Sequence, residues 1–420
     1  MLFVSLWSEV NQYVTLMSRL WSVFLLALWS VATLAQQVQV SGIVTDGLTR
    51  ERLSQVSLTA EGHSVVTNDD GFFLLKLPEG AAPIIIDVSH VGYKSQQLKM
   101  AAGGADGLAV ALTPATIQLG EVVVLGMDAR RLVESAVEKI YLNYSRQPEL
   151  LKGFYRETAM KRRHFIYVAE GVIDMYKTGC TDSYLRDRVA IVKGRRLLSQ
   201  KQSDTLGVKV MGGPVAPVQL DLVKNRDFLL NRDELNNYAF AMDVPTYIGD
   251  REQYVVKMSP LVVQPYALYY GKLYIDCETL AFTRVELQLD MSSKEKATSY
   301  MLVSKPAGVR FRPRELSLVV SYQFDGGVSR MSYLRSTFRF NCDWKRRLFA
   351  TSFTATCEMA VTGHTSADVR PIPRRDSFDA KDAYYDRVDF FRDPAFWRDF
   401  IIIEPTESLE EAIGKLISRW

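Results

Sequence analysis

The sequence predicts a mainly β protein with some helix: a small N-terminal β-sandwich, then a large curved antiparallel sheet with packed helices. Three observations predict it. Between residues 36 and 125, short alternating apolar runs recur with turn residues between them, the pattern of a sandwich. From 151 to 363, longer alternating runs are joined by short turns, most simply one sheet of sequential strands. Helical spacing marks a linking segment, 126–150, and the end of the chain.

The first segment carries an address rather than a fold. Arg19 precedes an apolar run from Leu20 to Leu34 that ends on Ala35, the layout of a secretory signal. Residues 1–35 are therefore expected to be a cleaved signal peptide, with Met1 to Leu16 as an upstream extension from a misassigned start. The run is shorter than the roughly twenty residues a bilayer needs, and Trp and Ser interrupt it, which favours cleavage over a retained anchor. No later segment is apolar enough to span a membrane as a helix.

Composition narrows the partners. Fifty-one basic and forty-eight acidic side chains leave a net charge of +3, which gives no case for nucleic-acid binding. Basic clusters at Lys161-Arg162-Arg163, Arg195-Arg196 and Lys345-Arg346-Arg347 border strand-like runs and read as solvated turns. The four cysteines, Cys180, Cys277, Cys342 and Cys357, are too sparse for a disulfide framework. Packed free thiols are expected, with one long-range disulfide as the alternative.

Within the sandwich, strands are expected at Val38–Thr45, Val56–Ala60, His63–Thr67, Phe72–Leu77, Ile84–Ser89 and Leu108–Leu112. Asn68-Asp69-Asp70-Gly71 is a turn, because Asp bonds its own backbone and Gly accepts positive φ. The runs Gly42-Ile43-Val44-Thr45-Asp46, Val56-Ser57-Leu58, Thr67-Asn68-Asp69-Asp70-Gly71-Phe72-Phe73 and His90-Val91-Gly92-Tyr93 together resemble the carboxypeptidase regulatory-like domain. Leu119-Gly120-Glu121-Val122-Val123-Val124 resembles its usual exit strand. Asn68 departs from the Thr or Ser more usual in that family. The resemblance implies a transthyretin-like, Ig-like sandwich at the front of an exported protein of Gram-negative bacteria. The periplasm, or the periplasmic face of the outer membrane, is the implied location.

The family's name does not bring peptidase chemistry with it. Zinc carboxypeptidases hold their metal with a His-x-x-Glu pair and a distant His. None of His63, His90, His164 and His364 has an acidic residue three positions later. All four read as structural, and no metal or cofactor is expected.

Beyond the sandwich, Asp128 caps a helix whose apolar face is Leu132, Val133, Ala136, Val137, Ile140, Tyr141 and Tyr144, ended by Pro148. Strands follow at Arg163–Tyr176, Val189–Leu198, Tyr238–Val244, Gln253–Met258, Leu268–Ile275, Ala281–Leu289, Leu316–Phe324, Ser329–Phe340 and Leu348–Val361. Asp276 to Leu280 and Asp325-Gly326-Gly327 are hairpin turns. Residues 201–237 read as an inserted loop with short helices, and 364–420 as a connector and docking helix. Ser408 and Glu411 form a capping box for that helix, whose apolar face is Leu409, Ala412, Ile413, Leu416 and Ile417. Strand order and the run Tyr270 to Asp276 resemble the half-barrel of periplasmic lipoprotein carriers.

No catalytic constellation stands out: there is no Gly-x-Ser-x-Gly elbow, phosphate loop or metal-spaced cluster. Arg156 and Glu157 are neighbours on a strand and point to opposite faces, so they anchor rather than cooperate. Asp376, Asp379, Asp382, Asp386, Asp389 and Asp393 are interleaved with Arg374, Arg375, Lys381, Arg387 and Arg392, a solvated charged surface rather than a calcium site. The expected function is a non-enzymatic cell-envelope binding or structural protein whose partner is an envelope protein, a glycan or a lipid. The alternative is a carrier of an acyl chain or other apolar ligand in a half-barrel; the further alternative is a hydrolase with an unfamiliar site.

Overall fold

The computed structural model describes residues 37–78, 83–115, 126–201, 209–210, 213–344, 349–379, 382, 384–390, 397 and 400–417. The expected signal peptide, the exit strand Leu119–Val124, the cluster Lys345-Arg346-Arg347 with Leu348, and Lys381, Arg392 and Asp393 lie outside the described residues.

Seven strands form the sandwich: β1 Gln37–Asp46, β2 Ser57–Ala60, β3 His63–Val66, β4 Phe72–Pro78, β5 Ile84–Ser89, β6 Gln96–Met100 and β7 Ala105–Leu112. They make a three-stranded sheet, β4-β1-β7, and a four-stranded sheet, β3-β2-β5-β6. Alternation puts Val40, Val44, Leu58, Phe73, Leu75, Ile86, Val88 and Leu112 inside, at 1% exposure or less. The strand β6 is new relative to the sequence reading. Its residues Gln-Gln-Leu-Lys-Met alternate only over Leu98 and Met100, which pack half-buried on the sandwich core, because it is an edge strand with no fully buried residue. Gly42 has a steric role: a Cβ there would lie 2.3 Å from the Leu108 carbonyl oxygen, so only glycine lets β7 approach β1 at that point.

After the sandwich come α1 Ala129–Glu138, α2 Ile140–Asn143, β8 Glu149–Lys161, β9 His164–Lys177, β10 Arg188–Leu198, β11 Lys209–Val210, α3 Ala216–Gln219, α4 Arg232–Leu235, β12 Tyr238–Ile248, β13 Arg251–Pro260, β14 Tyr269–Asp276, β15 Phe282–Leu289, α5 Lys294–Met301, β16 Leu302–Ser304, β17 Val309–Asp325, β18 Val328–Trp344, β19 Thr351–Thr365, β20 Asp389–Phe390 and α6 Glu407–Ile417. One open sheet runs β12-β13-β14-β15-β17-β18-β19-β8-β9-β10-β20. It is antiparallel except for the short parallel β20 at its edge. The run β12 to β19 follows the chain, as short turns predict. The junction does not: the last long strand, β19, pairs with the first, β8, from Phe353 opposite Lys161 to Thr365 opposite Leu150.

Other elements pack on both faces of the sheet. On one, called here the helix face, Leu132, Val133 and Ala136 of α1 join Val218, Leu222, Leu229, Leu230 and Ala297 in one core with Tyr155, Ile173, Leu273, Leu287, Leu318 and Met359. The Asp128 carboxylate accepts from the Arg131 N–H at 3.2 Å, the expected N-cap. Tyr141, expected on the apolar face, is 51% exposed. The helix breaks at Lys139 and the short α2 turns that side chain outward. Tyr144 remains inside and donates to the Phe282 carbonyl at 2.6 Å.

The opposite face carries the sandwich, Trp397, residues 400–405, and α6. Leu409, Ile413 and Leu416 pack on Val168 and Leu197, so α6 docks on β9 and β10. Its cap is Thr406 rather than Ser408: Thr406 Oγ1 accepts from the Leu409 N–H at 3.2 Å. Glu411 instead pairs with Lys415 one turn on. All four cysteines are free thiols.

Tyr144→Phe keeps the ring and leaves the buried Phe282 carbonyl without its donor. A loss of about 1–3 kcal/mol is expected in denaturant unfolding, with native secondary structure retained.

Candidate functional site

One transverse row on the sandwich face organises the charges of the sheet. Strand register places Ala241, Lys257, Lys272, Glu286, Val319, Arg335, Glu358, Arg156, Glu170 and Arg195 side by side on successive strands. From Arg335 to Arg195 the sign alternates at every strand, so each carboxylate has a guanidinium on either side. At the buried end, Glu170 takes Arg156 on one carboxylate oxygen and Arg195 on the other, each at 2.7 Å. Trp397 donates its indole N–H to the same carboxylate at 3.2 Å. Burial alone would raise the Glu170 carboxyl, but Arg156 and Arg195 outweigh it and hold the group below its ordinary value.

This row also fastens the rest of the chain. Arg156 donates to the Ile403 carbonyl at 2.6 Å, and Arg195 lies 4.9 Å from the Trp397 ring centroid. Arg335 grips Asp69 of the sandwich turn through two bonds, at 2.6 and 2.8 Å. Lys76 on β4 donates to the carbonyls of Trp397 and Phe400, both at 2.9 Å. Asn68 accepts the N–H groups of Asp70 and Phe72 through Oδ1 and donates through Nδ2 to the carbonyls of Glu404 and Pro405. A Thr or Ser there would form the turn but could not donate in that fashion, so the family departure has a structural use.

Beside this clamp the same face opens into a groove of about 660 Å³ over β12 to β17. Ala239, Ala241, Ser317 and Val319 form its floor, with Lys257, Tyr270, Lys272 and Glu286 around it. Gly271 keeps the strands close: a Cβ there would meet the Glu286 carbonyl oxygen at 1.9 Å. The two lysines are held by Asp243, at 2.9 and 3.0 Å. Burial alone would raise Asp243, but the hydrogen bonds from Lys257 and Lys272 bring it down to about 2.

The residues weighed from sequence are dispersed. Arg156 and Glu157 do face opposite sides: Glu157 points to the helix face, where Tyr155 and the Gly213 N–H each bond it at 2.7 Å and Tyr167 at 3.1 Å. Arg195, read as solvated, is instead buried within the strand expected over Val189–Leu198, 7% exposed and ion-paired; its partner on the neighbouring strand is what permits a buried cation. Lys161-Arg162-Arg163 is the hairpin turn expected, with Arg162 at φ 58°. His90 stacks near Tyr93, and burial brings its imidazole down to about 4. His364 faces Asp325 at 3.6 Å, and His63 lies by the Glu61 carbonyl. Asp376 and Asp382 pair with Arg375 and Arg387. Burial pushes the thiols of Cys277 and Cys357 up to about 12, so neither is a thiolate at neutral pH. Among the described residues no group of three His, Cys, Asp or Glu is placed to hold a metal ion, and no helix is long and apolar enough to cross a membrane.

The class defined by this geometry is a mainly β protein: a front sandwich clamped to a large open sheet. Comparison with known proteins adds that residues 40–124 match the family model of the CarboxypepD_reg-like domain. The resemblance read from Gly42 to Tyr93 is thus confirmed. No curated protein matches the sequence. Among solved structures, a DUF1329 family protein from Desulfovibrio piger is 8% identical, with a TM-score of 0.26 over 58% of this chain and 95% of that one. A LolA superfamily protein from Nitrosomonas europaea is 12% identical, with a TM-score of 0.19 over 60% of this chain and 99% of that one. A membrane-associated protein of unknown function from Bacteroides fragilis is 8% identical, with a TM-score of 0.16 over 79% of this chain and 99% of that one. Scores this low carry no argument, and the fold stands on its strand order.

Glu170→Gln removes the charge between two buried guanidiniums, and a loss of about 3–5 kcal/mol is expected in denaturant unfolding. Glu170, Asp69 and Asp276 all have folded carboxyls below their ordinary values. Their contribution is complete above the unfolded carboxylate range and drains away as pH falls through the folded values. The melting temperature of the parent chain should therefore drop on acidification below the ordinary carboxylate range, and less steeply in the Glu170→Gln variant. Asn68→Thr should leave the sandwich turn intact and raise amide exchange selectively in residues 400–410.

Proposed function

We propose that this chain is a non-enzymatic binding protein of the cell envelope that holds an apolar or acyl-chain ligand in the groove over β12 to β17. One observation carries the reading. The groove is an uncovered, mostly apolar stretch on a face whose neighbouring parts are occupied by the sandwich, the tail and α6. Its volume of about 660 Å³ lies in the range of small-molecule sites, roughly 300–1,000 Å³. Small side chains on the floor leave room for a chain-like ligand, and the stems of Lys257 and Lys272 add apolar wall.

The ligand sits on the face opposite the one a half-barrel carrier suggests. The helix face is filled by Leu222, Leu229 and Leu230 at 1% exposure or less, and these side chains occupy the space a ligand would need there. The non-enzymatic reading is supported by chemistry: the cysteine thiols are held protonated, and the buried carboxylates near the clamp are committed to ion pairs. The signal-like segment at Arg19 to Ala35 and the front domain support the envelope.

Ala241→Trp fills the groove from its floor and tests the reading. The full chain should bind the apolar dye N-phenylnaphthylamine with increased fluorescence, and Ala241→Trp should weaken that binding at least about tenfold at an unchanged melting temperature. No dye binding by the parent chain, or equal binding by the variant, would overturn it.

A further inference from the structure

A second space lies between the sandwich and the sheet, and its chemistry differs from the groove's. The outer face of β3-β2-β5-β6 looks onto the sandwich face of β13, β15, β17 and β18 across a cleft of about 350 Å³. Two sheets that pack face to face normally interdigitate apolar side chains. Here Ser57, Ser89 and Gln97 on one side oppose Gln253, Arg284 and Ser321 on the other. A few direct bonds hold the walls apart at fixed spacing: Arg284 to Gln55 at 3.1 Å, Gln323 to Thr59 at 2.9 Å, and the Gly92 N–H to the Tyr247 carbonyl at 2.8 Å.

Both guanidiniums of the cleft are ion-paired, and two carboxylates, Asp87 and Asp250, also line it, with Asp87 accepting from the Gln97 amide at 2.9 Å. Arg251 is bound by Asp276 at 2.5 Å and Arg284 by Glu286 at 2.6 Å. His90, facing Arg284, is held neutral by burial at neutral pH. Beside the Asp87 and Asp250 carboxylates, which accept from a ligand hydroxyl and repel an anion, the walls offer hydroxyls and amides, each able to donate and accept. At the rim, Phe324 lies 5.1 Å beneath the Arg251 guanidinium and is still 47% exposed. An aromatic ring beside neutral hydroxyl and amide groups suits a ligand with apolar C–H faces and a hydroxyl-bearing edge.

We propose that the cleft between sandwich and sheet binds a neutral oligosaccharide, seated against Phe324 with its hydroxyls exchanged among the Ser, Gln and Arg284 side chains. The site is separate from the groove over β12 to β17 and stands whether or not that groove takes an apolar ligand.

Saturation-transfer NMR on the full chain, with hexamers of glucose, of N-acetylglucosamine and of mannose, tests it. At least one should give transfer at millimolar concentration. Phe324→Ala, an exposed change, should weaken that binding about tenfold; Ser57→Trp, which fills the cleft from the sandwich side, should abolish it, while Ala241→Trp in the groove leaves it unchanged. Absence of transfer from all three hexamers would overturn the proposal, as would binding untouched by Phe324→Ala or lost in Ala241→Trp. A hexamer of glucuronic acid binding in preference to all three neutral ones would also overturn it.

Discussion

The structure depends on a carboxylate held between two guanidiniums. Glu170 is enclosed by Arg156, Arg195 and Trp397, and each partner also touches another part of the chain. Burying three charges is costly unless every one is satisfied. Here the extra donors find carbonyl or aromatic partners in the C-terminal segment, so the ion cluster and the tail specify each other. Arg335 extends the same row to Asp69, which ties in the sandwich. The network thus acts as a registration device. A one-residue slip of any strand between β18 and β10 would send its charge to the helix face.

The clamp explains how the two open spaces come to be. Where the row is strictly alternating, the sandwich turn, the tail and α6 lie down on the sheet. Toward β12 the row changes to Ala241, the paired lysines, Glu286 and Val319, and the groove opens there. The polar seam under β2 and β5 lies further along the same strands, at Gln253, Arg284 and Ser321. One face therefore carries three surfaces: one dry and ion-paired, one polar, and one apolar and open.

Much of the fold was legible because it is local. The turn Asn68 to Gly71, the hairpins at Asp276 and at Asp325-Gly326-Gly327, the Asp128 cap and the apolar face of α6 each declare themselves within a few residues. What was hidden is non-local. Nothing near β8 shows that its partner is β19, and nothing near Arg156 and Glu157, read as anchors, shows that Arg156 is held by Glu170 and Ile403. Arg195 misled for the same reason: two adjacent arginines look solvated until Glu170, twenty-five positions away, is seen beside them. The groove was unreadable because its floor comes from single residues on separate strands. The edge strand β6 offered only Leu98 and Met100 as an apolar signal, and α6 begins two residues early because Thr406, not Ser408, meets the free N–H groups.

The pairing of β19 with β8 has a consequence for how the molecule assembles. Emerging from its amino end, the chain can complete the sandwich at once, since every partner lies within the first 112 residues. The three strands that follow, β8 to β10, must wait with one margin unsatisfied until Thr351 to Thr365 arrive. Loop closure over that distance is slow. Maturation is consequently split into a prompt early stage and a late, all-or-nothing one, and a polypeptide truncated before Thr351 would strand a folded front unit ahead of an unfinished, adhesive remainder.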